Sequence, residues 1–426
     1  MKKFIYLLIG ILSFQTILAQ QTANIKLADL EAAFLKSNLL LLAQQYNISE
    51  QKAYKLQASL FPNPNIYIEQ NIRNSITGDY FPTGGFKKPN GTNGENIFQF
   101  QQLFLLAGKR NKQIALAAIN IKIAEQQFQD ILRTLRYTLH SSFYNLYFLQ
   151  KSLALYETEI GELDTLVKAY DIQLQKGNFA ESEVVRLKAF LFQLNHESIN
   201  VRLQINDLRT NLSILMGADF KNTINPIVEI DELNKIDISK LQLTQLIDSA
   251  RANRPDLLIA ESQQKYEKLN LSLQKAYATP DVRLGTVYDR NGSYAPSYWA
   301  LNLNIDLPVF NRNQGNIKAA ESRIKTSELL FKNYQQTIDK QVEEVYKKVL
   351  INNQLYKEFD SKYTQQFDKM MDGIKVNYSK RNISLLQFID FYESYKNSVT
   401  NYNQLQFERI NSIEELNYII AIPLIN

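Results

Sequence analysis

Two long stretches of this sequence contain no proline, one over residues 90–225 and the other over residues 309–422. Glycine is also sparse there. Because these two residue types most often end helices, both stretches are predicted to be helical. A helix over 107–176, ending before Gly177, would hold 70 residues. It would be roughly 100 Å long at about 1.5 Å per residue. No compact globular domain needs a helix of that length.

Apolar residues recur every seven positions in both stretches, which is the seam pattern of a coiled coil. The first stretch carries Ile114, Ile121, Phe128 and Leu135, with Ala117, Ala124 and Ile131 three residues later, and the second carries Ile317, Ile324, Phe331, Ile338 and Val345. Two shorter helices are predicted over 27–60 and 180–216. Their combined length matches that of the long helix, so we expect them to stack end to end beside it.

The chain contains two copies of one unit. Residues 61–66 resemble 277–282 at an offset of 216, and residues 176–179 resemble 380–383 at an offset of 204. The offset changes because the first copy has a longer loop, rich in Gly, Asn, Thr and Pro, over 73–94.

These matches predict a first repeat over 20–217, an equatorial linker over 218–242 and a second repeat over 243–426. Each repeat is predicted to run helix, strand, loop, strand, long helix, tip, helix. The turn at the second tip is followed by Ser384 and, three residues later, Gln387, which is the pattern of a helix capping box.

Residues 1–19 have the parts of a secretory signal peptide. Lys2 and Lys3 form the charged start, residues 4–14 are apolar, and Ala19 precedes the predicted cleavage point. The apolar part is shorter than the about 20 residues that a membrane-spanning helix needs. The protein is therefore predicted to be exported.

Alternating apolar and polar residues predict four strands, over 66–70, 97–101, 282–288 and 301–307. Four strands cannot close a barrel, for which about eight is the practical minimum, and lipid does not tolerate an open sheet edge. Oligomerisation is therefore expected, with eight strands from two chains or 12 from three. Six aromatic residues are expected either to form girdles at the membrane surfaces or to pack in an ordinary core: Tyr67, Phe98, Phe100, Tyr288, Tyr298 and Trp299.

The residue inventory argues against catalysis. The absence of cysteine excludes disulfides, thiolate metal sites, cysteine nucleophiles and a lipid on an N-terminal cysteine. The two histidines, His140 and His196, belong to no catalytic or metal-binding motif. The 48 Lys and Arg residues are interleaved with 43 Asp and Glu residues, for a formal charge of +5. This mixture indicates solvated helix surfaces, and we expect no enzyme activity, no cofactor and no nucleic-acid partner.

The sequence resembles the TolC family of outer-membrane efflux proteins over essentially the whole mature chain. Three motifs carry the resemblance: Pro62-Asn63-Pro64 before a strand, Gly108-Lys109-Arg110 at the start of the first long helix, and residues 308–315 (Pro-Val-Phe-Asn-Arg-Asn-Gln-Gly) at the start of the second. The last two are more similar to the heavy-metal branch, the CzcC- and CusC-like proteins, than to the multidrug or secretion branches.

This resemblance implies a mainly α chain with a membrane β-barrel. A homotrimer would form a 12-stranded barrel in outer-membrane lipid and a 12-helix tunnel in the periplasm. The partners that it implies are a periplasmic adaptor, also called a membrane fusion protein, and an inner-membrane transporter of the resistance-nodulation-division (RND) type. The expected cargo is heavy-metal cations, which would pass without specific coordination.

The resemblance also implies residues at the periplasmic entrance. Asp390 matches one acidic aperture position, and Gln387 stands at the other. Tyr378 matches the tyrosine of an inter-helix lock, but Ile383 replaces its arginine partner and Arg381 lies two residues earlier. The other residues that it implies are Glu183, at an aspartate position of the family, and the adaptor-docking tips Lys176, Gly177, Asn178, Phe179, Lys380, Asn382 and Ile383.

Two alternatives stay open at the level of the sequence. One keeps the channel but changes the cargo to drugs or to a protein secreted by a type I system. The other is a periplasmic coiled-coil adaptor or structural protein, which explains the signal peptide and the heptads but not alternating strands at the same place in both copies.

Overall fold

The computed structural model describes residues 22–75, 78–82, 94–217, 223–229, 238–290, 295, 297–359 and 361–423. The predicted signal peptide and much of the predicted linker and first loop lie outside these ranges. The chain divides into two compact units. The first comprises Met1–Ala43, Asp130–Arg254 and Thr337–Asn426, and the second comprises Gln44–Gln129 and Pro255–Gln336.

Helices dominate the described chain. They are α1 (Leu27–Ser37), α2 (Leu39–Ser59), α3 (Lys109–Gln175), α4 (Glu181–Met216), α5 (Leu243–Asn253), α6 (Pro255–Tyr277), α7 (Gln314–Glu358), α8 (Ser361–Ser379) and α9 (Leu385–Ile420). The strands are β1 (Thr22–Lys26), β2 (Asn65–Gln70), β3 (Asn96–Phe104), β4 (Thr223–Ile227), β5 (Val282–Arg290) and β6 (Ser297–Ile305). The predicted 70-residue helix is α3, which has 67 residues.

Two predicted helices are broken where the sequence analysis left them continuous. The predicted helix over 27–60 divides at Asn38, whose backbone is extended (φ −67°, ψ 118°). Its side chain donates a hydrogen bond to the Leu215 carbonyl and accepts one from the Leu41 amide. The second copy has the same break at Arg254, also extended, before Pro255. A residue before proline disfavours the helical conformation.

The second long helix also ends early, because α7 stops at Glu358 and α8 begins at Ser361. No proline or glycine lies between them. The sequence therefore contains no helix-breaking residue that would predict this interruption.

The second unit contains an antiparallel sheet in the order β2-β3-β5-β6. It holds the four predicted strands, although β6 begins four residues earlier than expected. Residues that face each other across neighbouring strands share a face of a sheet. One row runs Ile68, Phe98, Tyr288, Trp299, and the next runs Ile66, Phe100, Thr286, Leu301. This face is apolar and exposed, with Trp299 at 74% and Leu301 at 88% exposure.

The opposite face of the sheet is mostly polar. One of its rows is Glu69, Ile97, Asp289, Tyr298, and another begins with Tyr67 and Gln99. Of the six aromatic residues assigned to girdles, Tyr67 and Tyr298 therefore lie on the polar face, and the other four share the apolar one. Within the described chain, the outer edges of β2 and β6 pair with no further strand.

The structure has two strands that the sequence analysis missed. β1 and β4 form a parallel pair in the first unit, with Thr22 opposite Thr223 and Lys26 opposite Ile227. The Lys26 ammonium lies 2.6 Å from the Glu229 carboxylate. β4 falls inside the predicted linker and contains Pro226, which argues against a strand in any reading of the sequence. The described residues give this sheet two strands, so β4 is an edge strand, and an edge can accommodate a proline.

The Gly108-Lys109-Arg110 motif secures the start of α3 in the second unit. The Lys109 ammonium is buried and lies 2.6 Å from the Asp281 carboxylate, and it also donates to the Thr279 carbonyl at 2.7 Å. The Arg110 guanidinium donates to the Ser59 carbonyl at the end of α2. The motif thus ties the beginning of α3 to the ends of α2 and α6.

Four helices of the first unit, α3, α4, α8 and α9, pack around one apolar core. Its buried members are Tyr156, Leu163, Val167, Leu187, Phe190, Leu194, Met371, Ile374, Leu385, Phe388 and Tyr392. We call this the four-helix end. None of the helices in the described ranges combines the length and apolarity needed to cross a membrane.

His140 joins three helices of the first unit. Its ring nitrogens lie 3.1 Å from a Glu414 oxygen and 3.3 Å from a Glu31 oxygen, and Glu31 also accepts a 2.6 Å hydrogen bond from Arg136. Burial alone would lower the pKa of this imidazole, but the hydrogen bonds to both carboxylates outweigh it and raise the pKa to about 9. His140 is therefore a cation at neutral pH and bridges α1 and α9 to α3. His196 is exposed on α4.

Candidate functional site

The two predicted tips are turns with the same backbone geometry. In the first, the Asn178 amide donates to the Gln173 carbonyl and the Gly177 amide to the Leu174 carbonyl. In the second, the Asn382 amide donates to the Asn377 carbonyl and the Arg381 amide to the Tyr378 carbonyl. This pair of bonds is the Schellman motif that ends many helices. The two tips, which are similar in sequence, thus have the same helix C-terminal motif.

The key position of each turn is left-handed, but different residues occupy it. Gly177 has φ 73° and Arg381 has φ 61°. A side chain in this region costs roughly 1–2 kcal/mol, whereas glycine does not have that penalty. Nothing lies within 4 Å of a Cβ built on Gly177, so the glycine is required there by conformation and not by space. Arg381 therefore adds conformational strain to the second turn, and it also places a guanidinium group there.

The predicted capping box at the start of α9 is confirmed. The Ser384 side chain accepts from the Gln387 amide at 3.3 Å, and the Ser384 amide donates to the Gln387 side chain at 2.9 Å. This reciprocal pair satisfies two amides that the first turn of a helix leaves free. The side-chain oxygen of Gln387 is therefore engaged in the cap.

A continuous stack of aromatic rings joins the two turns. Phe179 contacts Tyr170 with ring centroids 4.2 Å apart, Tyr170 stacks on Tyr378 at 6.3 Å, and Tyr378 stacks on Phe388 at 4.2 Å. The Tyr170 and Tyr378 hydroxyls hydrogen-bond to each other. The Arg381 guanidinium lies over the Phe179 ring, 5.3 Å from its centroid, which is within cation–π range.

These side chains surround an open cleft of about 630 Å³ at the tips. Its lining comprises Tyr170, Gly177, Asn178, Phe179, Ala180, Glu183, Tyr378, Arg381, Ile383, Ser384 and Leu385. Seven of the residues predicted for the entrance and the docking tips are thus brought together. Lys176, Lys380 and Asn382 are exposed on the turns beside the cleft, and Asp390 is exposed on α9 outside its lining.

The surroundings of Tyr378 keep its hydroxyl protonated. Burial raises its pKa most, and the hydrogen bond with Tyr170 and the nearby Glu183 carboxylate raise it further. Tyr378 therefore keeps its proton at neutral pH and serves as a hydrogen-bonding group. Its partner is a tyrosine of α3, and Arg381 is placed over Phe179 instead of pairing with Tyr378.

The sequence analysis missed Tyr170, which is the centre of the aromatic stack. Tyr156, Leu163 and Tyr170 are spaced by seven residues, so the heptad pattern of α3 carried a signal for it. The repeat alignment pointed elsewhere, because an offset of 204 pairs Tyr378 with Leu174. Among the residues that the structure describes, no group of His, Asp and Glu is arranged to hold a metal ion.

Comparisons with known proteins agree with this architecture. Residues 246–359 match the family described as outer membrane efflux protein, which is less than half of the chain. No curated protein is significantly similar in sequence.

Solved structures are similar over almost the whole chain. CusC is 16% identical with a TM-score of 0.73, covering 94% of this chain and 92% of its own. A membrane protein from Pseudomonas aeruginosa is 15% identical with a TM-score of 0.75, covering 94% and 93%. The CmeC outer membrane channel of Campylobacter jejuni is 14% identical with a TM-score of 0.72, covering 92% and 85%. The predicted fold class is confirmed: the chain has the fold of TolC-like channels.

The two turns should respond oppositely to a change of residue at the left-handed position. Gly177→Ala should speed hydrogen exchange of the Asn178 amide about fivefold, because a strain of about 1 kcal/mol favours the open turn. At the second turn, Arg381→Gly should protect the Asn382 amide about fivefold more than Arg381→Ala does, since both variants lack the guanidinium and only one is strained. Equal exchange in the two Arg381 variants would contradict this account.

Proposed function

We propose that this chain is the outer-membrane channel of an efflux system, acting as a homotrimer that conducts its substrate passively. The observation that carries the proposal is the four-stranded sheet, which has an apolar exposed face, a polar face and two unpaired outer edges within the described chain. The fold, shared with solved channels, supports it. The family match over 246–359 supports the efflux role.

The sheet carries the proposal because such a surface is stable only in lipid and only when closed. Lipid has no groups that can pair with the free amides and carbonyls of a sheet edge. The β6 edge of one copy can pair with the β2 edge of the next, and three copies would supply 12 strands. The apolar rows would then face the lipid and the polar rows the lumen, as in outer-membrane barrels. The long helices would form the periplasmic tunnel.

For the cargo we propose heavy-metal cations, delivered by an inner-membrane RND pump through a periplasmic adaptor. Residues 308–315 support this assignment through their similarity to the heavy-metal branch. In this proposal the cations cross a polar lumen without fixed ligands. A multidrug or type I secretion duct is the alternative outcome. Cells that lack the gene should become sensitive to metal salts under the first assignment and to drugs under the second.

A matched pair of lysine substitutions tests the channel assignment. Leu301→Lys places a charge on the apolar face, at a cost of up to about 2–4 kcal/mol in lipid, and should abolish the trimer in outer-membrane fractions and its conductance in planar bilayers. Gln101→Lys introduces the same side chain on the polar face and should leave both intact. The chain is not such a channel if Leu301→Lys assembles and conducts like the unmodified protein. It is also not such a channel if the unmodified protein washes off membranes.

We propose that the two turns dock the adaptor, because they place exposed polar residues around a cleft with an apolar floor of Phe179 and Ile383. The chain has no cysteine, so single cysteines can be introduced without background. When labelled with a short thiol-reactive photo-cross-linker, Asn178→Cys and Asn382→Cys should each capture the adaptor in isolated cell envelopes. Asn200→Cys, exposed on α4 about six turns beyond the first tip, is the control and should not. Equal cross-linking from all three positions would contradict docking at the tips.

The remaining proposal places Asp390 at the periplasmic entrance, where threefold symmetry would gather three carboxylates around the axis. Asp390 is exposed, and the core-facing positions of α9 are Leu385, Phe388 and Tyr392, so its side chain lies on another side of the helix. Like charges that converge on an axis attract cations. Asp390→Asn should therefore lower the cation preference of single channels at low salt, where screening is weakest. Glu408→Gln, also exposed on α9, should leave the cation preference unchanged. If Asp390→Asn also leaves it unchanged, Asp390 does not lie at the entrance.

A further inference from the structure

The four-helix end contains a layer of ionisable side chains, of which Glu159 and Lys396 are buried in its apolar core and Glu162 and Lys375 reach its surface. All four of its helices contribute, and the members are Tyr156, Glu159 and Glu162 of α3, Glu197 of α4, Lys375 of α8, and Tyr392 and Lys396 of α9. This layer has no part in the cleft at the tips. Ionisable groups within a helical core are costly unless each is paired, so the pairing decides what the layer does.

Lys396 is the buried cation of the layer, and it is paired with one carboxylate. Its side chain is 3% exposed and its ammonium lies 2.6 Å from the Glu197 carboxylate. The same carboxylate accepts hydrogen bonds from the Tyr156 hydroxyl at 3.1 Å and from the Gln193 amide at 2.9 Å. These contacts hold Glu197 ionised, since the Lys396 bond and its other hydrogen bonds outweigh burial and lower its pKa.

Glu162 is also paired. Its carboxylate lies 2.6 Å from the Lys375 ammonium and accepts a hydrogen bond from the Tyr392 hydroxyl at 3.3 Å. Tyr392 additionally contacts the backbone carbonyl of Glu159 at 3.4 Å. Both cations of the layer therefore have an anionic partner, and neither of these partners is Glu159.

Glu159 is the unpaired member. It is 2% exposed, and neither of its carboxylate oxygens has a hydrogen-bond partner among the groups that the structure describes. Burial raises its pKa most, the neighbouring Glu162 and Glu197 carboxylates add to the rise, and Lys396 and Lys375 oppose it, with a resulting value of about 8. At neutral pH the carboxyl of Glu159 is mostly protonated in the packed helices.

We propose that Glu159 is a proton-binding site whose occupancy controls how tightly α3, α4, α8 and α9 pack at the four-helix end. With its proton, Glu159 is a neutral side chain that fits an apolar layer. When the proton leaves to water, the carboxylate needs either water or the Lys396 ammonium as a partner. Water enters only if the helices separate, and a shift of Lys396 toward Glu159 would lengthen its 2.6 Å bond to Glu197.

The sign of the pH dependence follows from the raised pKa. A carboxyl whose pKa is about 8 in the packed state and about 4.5 when exposed binds its proton more tightly in the packed state. The packed state therefore has its full stability below pH 4.5, loses it progressively as the pH rises toward 8, and changes little above that. Alkaline conditions should loosen these helices.

The experiment measures opening of the layer in the full-length protein in detergent. Ser198 is buried on α4 next to Glu197, and Ser182 is exposed on the same helix. Single variants Ser198→Cys and Ser182→Cys give a buried and an exposed thiol in a chain with no other cysteine. The ratio of their alkylation rates cancels the pH dependence of the thiolate and reports the fraction of time that the layer is open.

This ratio should rise at least about tenfold between pH 6 and pH 9 in the otherwise unmodified protein. Adding Glu159→Gln should remove the rise, because the amide keeps the shape and does not titrate. Glu159→Met serves the same purpose with an apolar side chain if the amide variant fails to assemble. Glu157→Gln, which removes an exposed carboxylate two residues away on α3, should preserve the rise.

A ratio that does not change with pH, or one that rises equally with Glu159 and with either replacement, would overturn the proposal. The measurement needs neither substrate nor adaptor. Failure of the channel assignment would therefore leave this result standing, and failure of the proton site would leave the channel assignment untouched.

Discussion

The structure depends on the apolar stripe of one very long helix. An isolated helix gains little from its own hydrogen bonds, so α3 owes its 67 residues to the surfaces that pack along it. In the first unit, Tyr156, Leu163 and Tyr170 follow the heptad spacing and contact α4, α8 and α9. In the second unit, the start of the same helix is fixed by the buried pair of Lys109 and Asp281.

The predicted duplication is matched by several paired features of the backbone, and positions where the two members of a pair differ are candidates for special roles. The breaks at Asn38 and Arg254 and the turns at Gly177 and Arg381 are equivalent in the two copies. At each pair of positions the backbone conformation is the same and the side chains differ. Only the second copy has an arginine in the left-handed position, where its guanidinium covers Phe179 of the first copy. Arg381 therefore combines a strained backbone with a side-chain contact that a glycine could not make.

The sequence was sufficient for the features that rest on local periodicity. Alternation located the strands of the four-stranded sheet, heptads located α3 and α7, and the Ser384 capping box was predicted from its two residues alone. The missed features depend on contacts distant in the sequence. β1 and β4 pair across about 200 residues. Tyr378 contacts Tyr170, which is not the residue that the repeat alignment pairs with it. Only their packing in three dimensions defines such pairs.

The same reasoning explains why Glu159 was overlooked. It lies three residues after Tyr156 and four before Leu163, so it occupies the apolar stripe of α3, where a charged residue contradicts the pattern. Lys396 does the same on α9, four residues after the buried Tyr392. Lys396 is compensated by Glu197, whereas Glu159 has no such partner in the described chain. At this core position the acid differs from an apolar side chain such as methionine in its ability to release a proton.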